Sequence, residues 1–227
     1  FMKTIEDARA LGRSLVEVGE AAGLPTTAII SDMNQPLGKA VGNAIEVNES
    51  VAILCCQRRD DPAFEAVRTL TIELCKPLLV RVGVCQDLRH AEELLNARLD
   101  DGSAMERFEK MVATQGGRWT GPLPLADSES VLSARGGYVR RIDCFALGTA
   151  VVAIGGGRKT VEDQIDPSVG IEVLVRVGDR TEPGQPLLKL HCHAAVRNRY
   201  LEGLADCVEI SDSPTESLPL IVEAFAS

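Results

Sequence analysis

Through its first 115 residues the chain carries five helix-like patterns but only one convincing strand-like run, residues 26–30. A single extended segment leaves its N–H and C=O groups unpaired, which a folded core does not accept. The expectation is an incomplete α/β domain. Its sheet would be finished by strands that precede Phe1 in a longer protein or that another chain supplies.

The helix patterns have recognisable ends. Thr4 and Asp7 have start-signal spacing, Ile5, Ala8, Leu11, Leu15, Val18 and Ala22 share one apolar face, and Gly23 suits the position after the last turn. Asn43 and Glu46 have N-cap and N3 spacing, predicting a helix from Ala44 with Val47, Val51, Leu54 and Cys55 buried. Asp61-Pro62 opens a third helix with Phe64, Val67, Leu70, Leu74 and Leu78 inward, kinked or ended near Pro77. Asp87 opens a fourth, with Leu88, Ala91, Leu95 and Leu99 facing in and an end near Gly102. Ser103 and Glu106 form a capping box for a fifth, burying Phe108, Met111 and Val112.

The run 26–30 leads through a polar turn, 31–38, into the second helix. Pro36 fixes one φ there, and Gly38 and Gly42 allow backbone geometry that other residues resist. A strand, a tight loop and a helix N-terminus are where open α/β sheets bind ligands, although an ordinary βα connection has the same pattern.

Residues 116–130 read as a linker rich in Gly, Pro and Ser. Beyond them lies a β-rich second domain. Residues 137–142 alternate like a strand, Asp143 caps a short helix over 145–154, and Gly155-Gly156-Gly157 stops it. Strands are expected at 171–177, 187–191, 207–211 and 220–225, with turns at 178–179 and 183–186 and weak helix at 195–205.

Composition excludes some partners. With 24 Lys+Arg against 33 Asp+Glu the net charge is −9, which argues against nucleic acid or an anionic membrane as the main partner. No apolar run approaches about 18 residues and no secretory signal is present, so the cytoplasm is the default expectation. Cys55 and Cys56 are adjacent and no Cys-x-x-Cys occurs among the seven cysteines, which read as reduced thiols.

Several motifs invite chemistry. Gly155-Gly156-Gly157-Arg158-Lys159-Thr160 misses both the P-loop and the dinucleotide fingerprint and reads as a glycine loop with two solvated cations. On a strand, His191 and His193 would share one face and Cys192 the other, so the three would not converge on a metal. Glu49 is either a solvated helix carboxylate or a group folding toward carbonyls of the 36–40 turn to cage a hard cation. No Ser/His/Asp set or close carboxylate pair stands out. Residues 177–191 have the texture of half a lipoyl or biotinyl carrier fold, without the displayed lysine that a carrier needs.

Residues 31–47, SDMNQPLGKAVGNAIEV, resemble the signature loop of the thymidine and pyrimidine-nucleoside phosphorylases. The resemblance continues through 101–104, Phe108, Gln115-Gly116, 137–143, 146–148, 155–158, Ile165-Asp166, 168–170 and 177–191, in the family's order. It implies residues 1–118 as the C-terminal part of a glycosyltransferase-like α/β domain, 119–130 as linker, and 131–227 as an α+β barrel-sandwich-like C-terminal domain. Phe1-Met2-Lys3 resembles the end of a family segment. The family's helical domain, phosphate loop and base-binding residues are therefore expected upstream of Phe1.

The activity implied is a pentosyltransferase reaction of pyrimidine salvage. Phosphate, the co-substrate, attacks the anomeric carbon of thymidine, or of uridine or deoxyuridine, and releases the free base and a pentose 1-phosphate. No organic cofactor is implied. By resemblance, the Leu37 and Ala40 carbonyls and the Glu49 carboxylate bind a monovalent cation, potassium, which steadies the phosphate loop. Phe1 matches an apolar residue beside the base, and the Gly155–Lys159 loop is expected to cover the closed cleft. The full-length protein is expected to be a homodimer, and the chain alone is expected to be inactive. Two rival readings are an inactive fragment or interaction module and an anthranilate phosphoribosyltransferase-like enzyme. The β-rich residues 130–227 argue against the latter.

Overall fold

A computed structural model describes residues 2, 4–57, 60–217 and 219–226. In chain order the elements are α1 (Ile5–Ala21), β1 (Thr27–Ser31), β2 (Ala40–Gly42), α2 (Ala44–Leu54), α3 (Pro62–Arg81), α4 (Leu88–Asp100), α5 (Ser103–Thr114), β3 (Ser128–Leu132), β4 (Gly137–Ile142), α6 (Cys144–Val151), β5 (Gly170–Val173), β6 (Arg180–Thr181), β7 (Pro186–His191), α7 (Ala194–Leu204), β8 (Val208–Ser211) and β9 (Ile221–Ala226). The mixture of helices and open sheets is that of an α/β protein. The chain forms two compact units, one of Phe1–Asp32, Arg68–Asn96 and Leu218–Ser227, the other of Met33–Val67 and Ala97–Ser217.

The second unit holds most of the buried core. Its four-stranded antiparallel sheet has the order β2-β5-β7-β3, and a three-stranded sheet has the order β6-β4-β8. Register places Ile171 opposite Leu190 and Val173 opposite Leu188. Leu187, Leu188 and Leu190 of β7 are all buried, so this central strand is covered on both faces and its sequence loses strict alternation. Leu147 and Val151 of α6 and Leu204 of α7 complete the same core. The Asp143 carboxylate accepts from the Ala146 N–H at 2.9 Å and starts α6 as expected. The strands β2, β3 and β6, none of them anticipated, are short or sit in polar, glycine-rich sequence. Pairing to a neighbour defines them more than local pattern does.

In the first unit β1 is not alone. It pairs antiparallel with β9, from the far end of the same chain, with Thr27 opposite Ala226 and Ile29 opposite Ala224. The sequence expectation looked only to other segments or chains for a partner. It missed this one because the two strands are separated by nearly the whole chain. The Phe225 ring lies against Gly12 of α1, where a Cβ would come within 2.5 Å of it, and Arg9 Nε bonds Glu223 Oε2 at 2.7 Å.

The helices of this unit correct the expected apolar faces. Leu11, Leu15 and Val18 of α1 are exposed, Val18 at 65% of its surface, and so are Leu74 and Leu78 of α3 and Leu88 of α4. Among the described residues of this unit only Ile72, Cys85 and Ala91 are buried hydrophobics. A shallow cleft of about 260 Å³ lies among Pro25, Ile29, Leu74, Pro77 and Leu78. Helix α3 runs through Pro77 to Arg81 instead of ending there. Lys76, just before the proline, pairs with Glu73 and with Glu92 at 3.1 Å.

Met111 of α5 is also exposed, while Phe108 meets Trp119 edge to face at 5.5 Å. The α5 start differs in mechanism too. Gly102 is the N-cap residue and its carbonyl accepts the Glu106 N–H at 3.1 Å, the Asp101 carboxylate accepts the Ser103 N–H at 2.8 Å, and the Ser103 hydroxyl turns back to the Arg98 carbonyl at 3.3 Å.

Replacing Leu190, fully buried in β7, by Ala is expected to cost about 2–5 kcal/mol. The check is a lowered urea midpoint with unchanged slope in equilibrium unfolding.

Candidate functional site

The turn before α2 is folded around one carboxylate. Glu49, on the second turn of α2, accepts at Oε1 from the Lys39 N–H at 2.7 Å and the Ala40 N–H at 3.2 Å. The carboxylate lies directly over Gly38, where a Cβ would fall 2.5 Å from Glu49 Cδ. Only glycine admits that approach without moving the carboxylate.

The other side of the turn is tied to the β-rich part of the same unit. The Lys39 carbonyl accepts from the Val173 N–H at 2.7 Å, and Ala40 stands opposite Glu172 across β2 and β5. That makes Ala40 a non-hydrogen-bonded pair, so its N–H and C=O face away from β5, toward the open edge. Arg176 Nη1 donates to the Leu37 carbonyl at 3.2 Å, and the Val177 N–H donates to Gln35 Oε1 at 3.1 Å. Lys39 Nζ pairs with Asp61 Oδ2 at 2.6 Å, beside α3. Helix α2 begins at Ala44 as expected, but Asn43 does not cap it. Asn43 Nδ2 donates to the Gly156 carbonyl at 2.7 Å, and Glu46 reaches back to the Gly42 N–H at 2.9 Å.

Burial pushes the Glu49 carboxyl above its usual pKa, opposed by the N–H groups of Lys39 and Ala40 and assisted by the charges of Glu46 and Asp61. A poorly hydrated carboxylate of this kind is stabilised by a cation at its free oxygen. The candidate donors are two backbone carbonyls, Leu37 and Ala40, and one carboxylate, Glu49. An all-oxygen set suits a hard cation. The Leu37 oxygen already receives a guanidinium N–H, but a carbonyl has two lone pairs, so the donors fit. A cleft of about 200 Å³ adjoins them, lined by Lys39, Ala40, Asn48, Glu49, Phe64 and His191.

The other groups singled out in the sequence are used locally. In the 155–160 loop Gly155 has φ +106, and the Lys159 and Thr160 N–H groups donate to Asp163 Oδ2 at 2.8 and 3.0 Å. The loop's own carboxylate thus occupies donors that an anion would need. His191 Nδ1 is 3.2 Å from the Ala126 carbonyl, His193 Nε2 is 2.7 Å from Asp166 Oδ2, and Cys192 is fully buried. Asp166 is held below the usual carboxylate range by the Ser168 hydroxyl and N–H. Among the described residues no cluster of three His, Cys, Asp or Glu side chains is arranged to hold a metal. Phe1 lies outside the described residues. Sequence reasoning missed Gln35, Arg176 and Asp163. Only Asp163, three residues beyond Thr160, carries a local signal.

Because the Glu49 pKa is raised in the folded state, its contribution to stability is fully present below the unfolded value and is lost as pH rises through the folded one. The stability of the wild type relative to Glu49→Gln is therefore expected to increase as pH falls from neutrality into the ordinary carboxyl range. Urea unfolding of both proteins across that range checks it. A difference that stays flat would contradict the burial of this carboxylate.

Residues 138–211 match the family described as "Pyrimidine nucleoside phosphorylase C-terminal domain". The chain is 43% identical over 223 residues to the thymidine phosphorylase of Burkholderia cenocepacia (strain HI2424), covering 89% of this chain and 49% of that protein. It is 36% identical over 232 residues to the pyrimidine-nucleoside phosphorylase of Staphylococcus aureus (strain bovine RF122 / ET3-1), covering 98% of this chain and 52% of the relative. The chain thus spans about half the length of the curated relatives it matches. With the signature turn folded around Glu49 and likeness running along most of its length, this chain belongs to the thymidine and pyrimidine-nucleoside phosphorylase family, and it represents the C-terminal portion.

Proposed function

We propose that the chain forms part of a pentosyltransferase catalysing reversible phosphorolysis of thymidine, with uridine or deoxyuridine as related substrates. Phosphate attacks the anomeric carbon, the bond to the pyrimidine breaks, and the products are the free base and a pentose 1-phosphate. The reading is supported by 43% identity to a protein named thymidine phosphorylase. The observation that carries it in the structure is the Glu49 carboxylate closed over Gly38 and the Lys39–Ala40 backbone, in the segment that bears the family signature.

In this reading the chain supplies support, and the groups that clamp phosphate and protonate the leaving base belong to the other half of the relatives' length. The Leu37 and Ala40 carbonyls and Glu49 hold a potassium ion, whose charge steadies an anion-binding loop. Rigid placement of that loop matters because misplacement of a reacting group by about 1 Å can cost 10²-fold in rate. Phe1 would lie beside the base.

On this reading the unit that holds β1 and β9 is one part of a larger α/β domain, and its surface supports that reading. Among the described residues its sheet has two strands and its buried hydrophobics are few, and Leu11, Leu15 and Val18 recur on one face of α1 and Leu74 and Leu78 on one face of α3, open to solvent. Strands and helices from the remaining half of the fold would cover them. A cytoplasmic homodimer is the assembly this reading implies. No helix among the described residues is long and apolar enough to cross a membrane.

The test is thymine release from thymidine with and without phosphate. This chain alone is expected to give none. Co-expression with the N-terminal half of the Burkholderia cenocepacia relative is expected to give phosphate-dependent release. Phosphorolysis by the chain alone would overturn the division of labour, and no release from a well-folded complex would overturn the activity.

A further inference from the structure

The guanidinium of Arg176 is a permanent positive charge placed on one of the oxygens that the reading above assigns to a bound cation. Its Nη1 donates to the Leu37 carbonyl at 3.2 Å. The side chain is half-buried and springs from a backbone fixed on several sides. The Arg176 N–H donates to Asp179 Oδ2 at 2.7 Å, and the Asp179 N–H returns to the Arg176 carbonyl at 3.0 Å. Gly178, at φ +96, turns the chain so that its N–H and the Asp179 carbonyl both bond Val139, at 2.9 and 2.8 Å. The next residue, Val177, makes the second bridge to the same turn through Gln35. Two bonds from one rigid loop therefore locate the Leu37 carbonyl, and one of them is charged.

We propose that Arg176 is a positioning residue that shares the Leu37 oxygen with the monovalent cation and competes with it electrostatically, by like-charge repulsion across that oxygen. The proposal rests on the cation reading. A guanidinium does not lose its proton in a protein, so the competition does not relax with pH. A cation bound to Leu37, Ala40 and Glu49 would face that like charge across a shared acceptor and would take the oxygen's remaining lone pair. With the cation absent, Arg176 keeps the carbonyl satisfied and the turn in place. Arg176 thereby lowers the dependence of the turn on the ion and weakens the ion's binding.

Potassium titration of the full chain, followed by its thermal midpoint at constant chloride with choline as the replacement cation, tests this. In Arg176→Met the half-effect is expected at roughly ten-fold lower potassium than in the wild type, the change that loss of one charge-assisted competitor produces. Arg176→Gln keeps an N–H donor for Leu37 but no charge. It should shift the half-effect in the same direction, and it guards against unfolding of the methionine variant. Glu49→Gln should remove the potassium response. If the wild type responds and both Arg176 variants respond at the same or higher potassium, the competition is wrong and the cation site stands. If neither the wild type nor the Arg176 variants respond, the cation reading falls and the competition falls with it.

Discussion

A carboxylate closing on two backbone N–H groups, Glu49 on Lys39 and Ala40, is the interaction around which the site is built. It exists only because Gly38 has no side chain in the way. It joins α2 to a turn whose far side is held by β5 and by the 176–179 loop, so helix, turn and sheet are fixed relative to one another within one unit. The arrangement removes Glu49 from water without giving its charge a full counterpart, which is why its pKa rises. The proposed cation seat rests on this fixed, underhydrated carboxylate and the Leu37 and Ala40 carbonyls beside it.

The two units divide the physical burdens unequally. The β-rich unit packs its sheets and α6 and α7 around β7 and carries nearly all the buried aliphatic side chains. The other unit ties the chain's first helix and last strand together through Phe225 on Gly12 and Arg9 on Glu223, yet leaves helix faces patterned for burial in solvent. Leucines at i and i+4 on α1 and α3 are the mark of a surface meant to be covered.

Much of this was legible in the sequence where the signal is local. The Thr4 cap, the start of α2 at Ala44, the Asp143 cap of α6 and the strands β4 and β7 follow from residues within a few positions of one another. What failed depended on distant partners. The pairing of β1 with β9, the short strand β2 and the diversion of Asn43 to Gly156 are set by contacts across the chain. At the site, Glu49 and its turn were legible as a carboxylate near a glycine turn. Arg176 was not, because nothing around it in sequence indicates that its guanidinium ends on Leu37.

The most direct measurement of the central claim, that this turn is a cation seat, is anomalous scattering from crystals of the chain grown in a rubidium salt. The account predicts a rubidium peak among the Leu37 and Ala40 carbonyls and the Glu49 carboxylate. A clear map with rubidium elsewhere and none at Glu49 would contradict it.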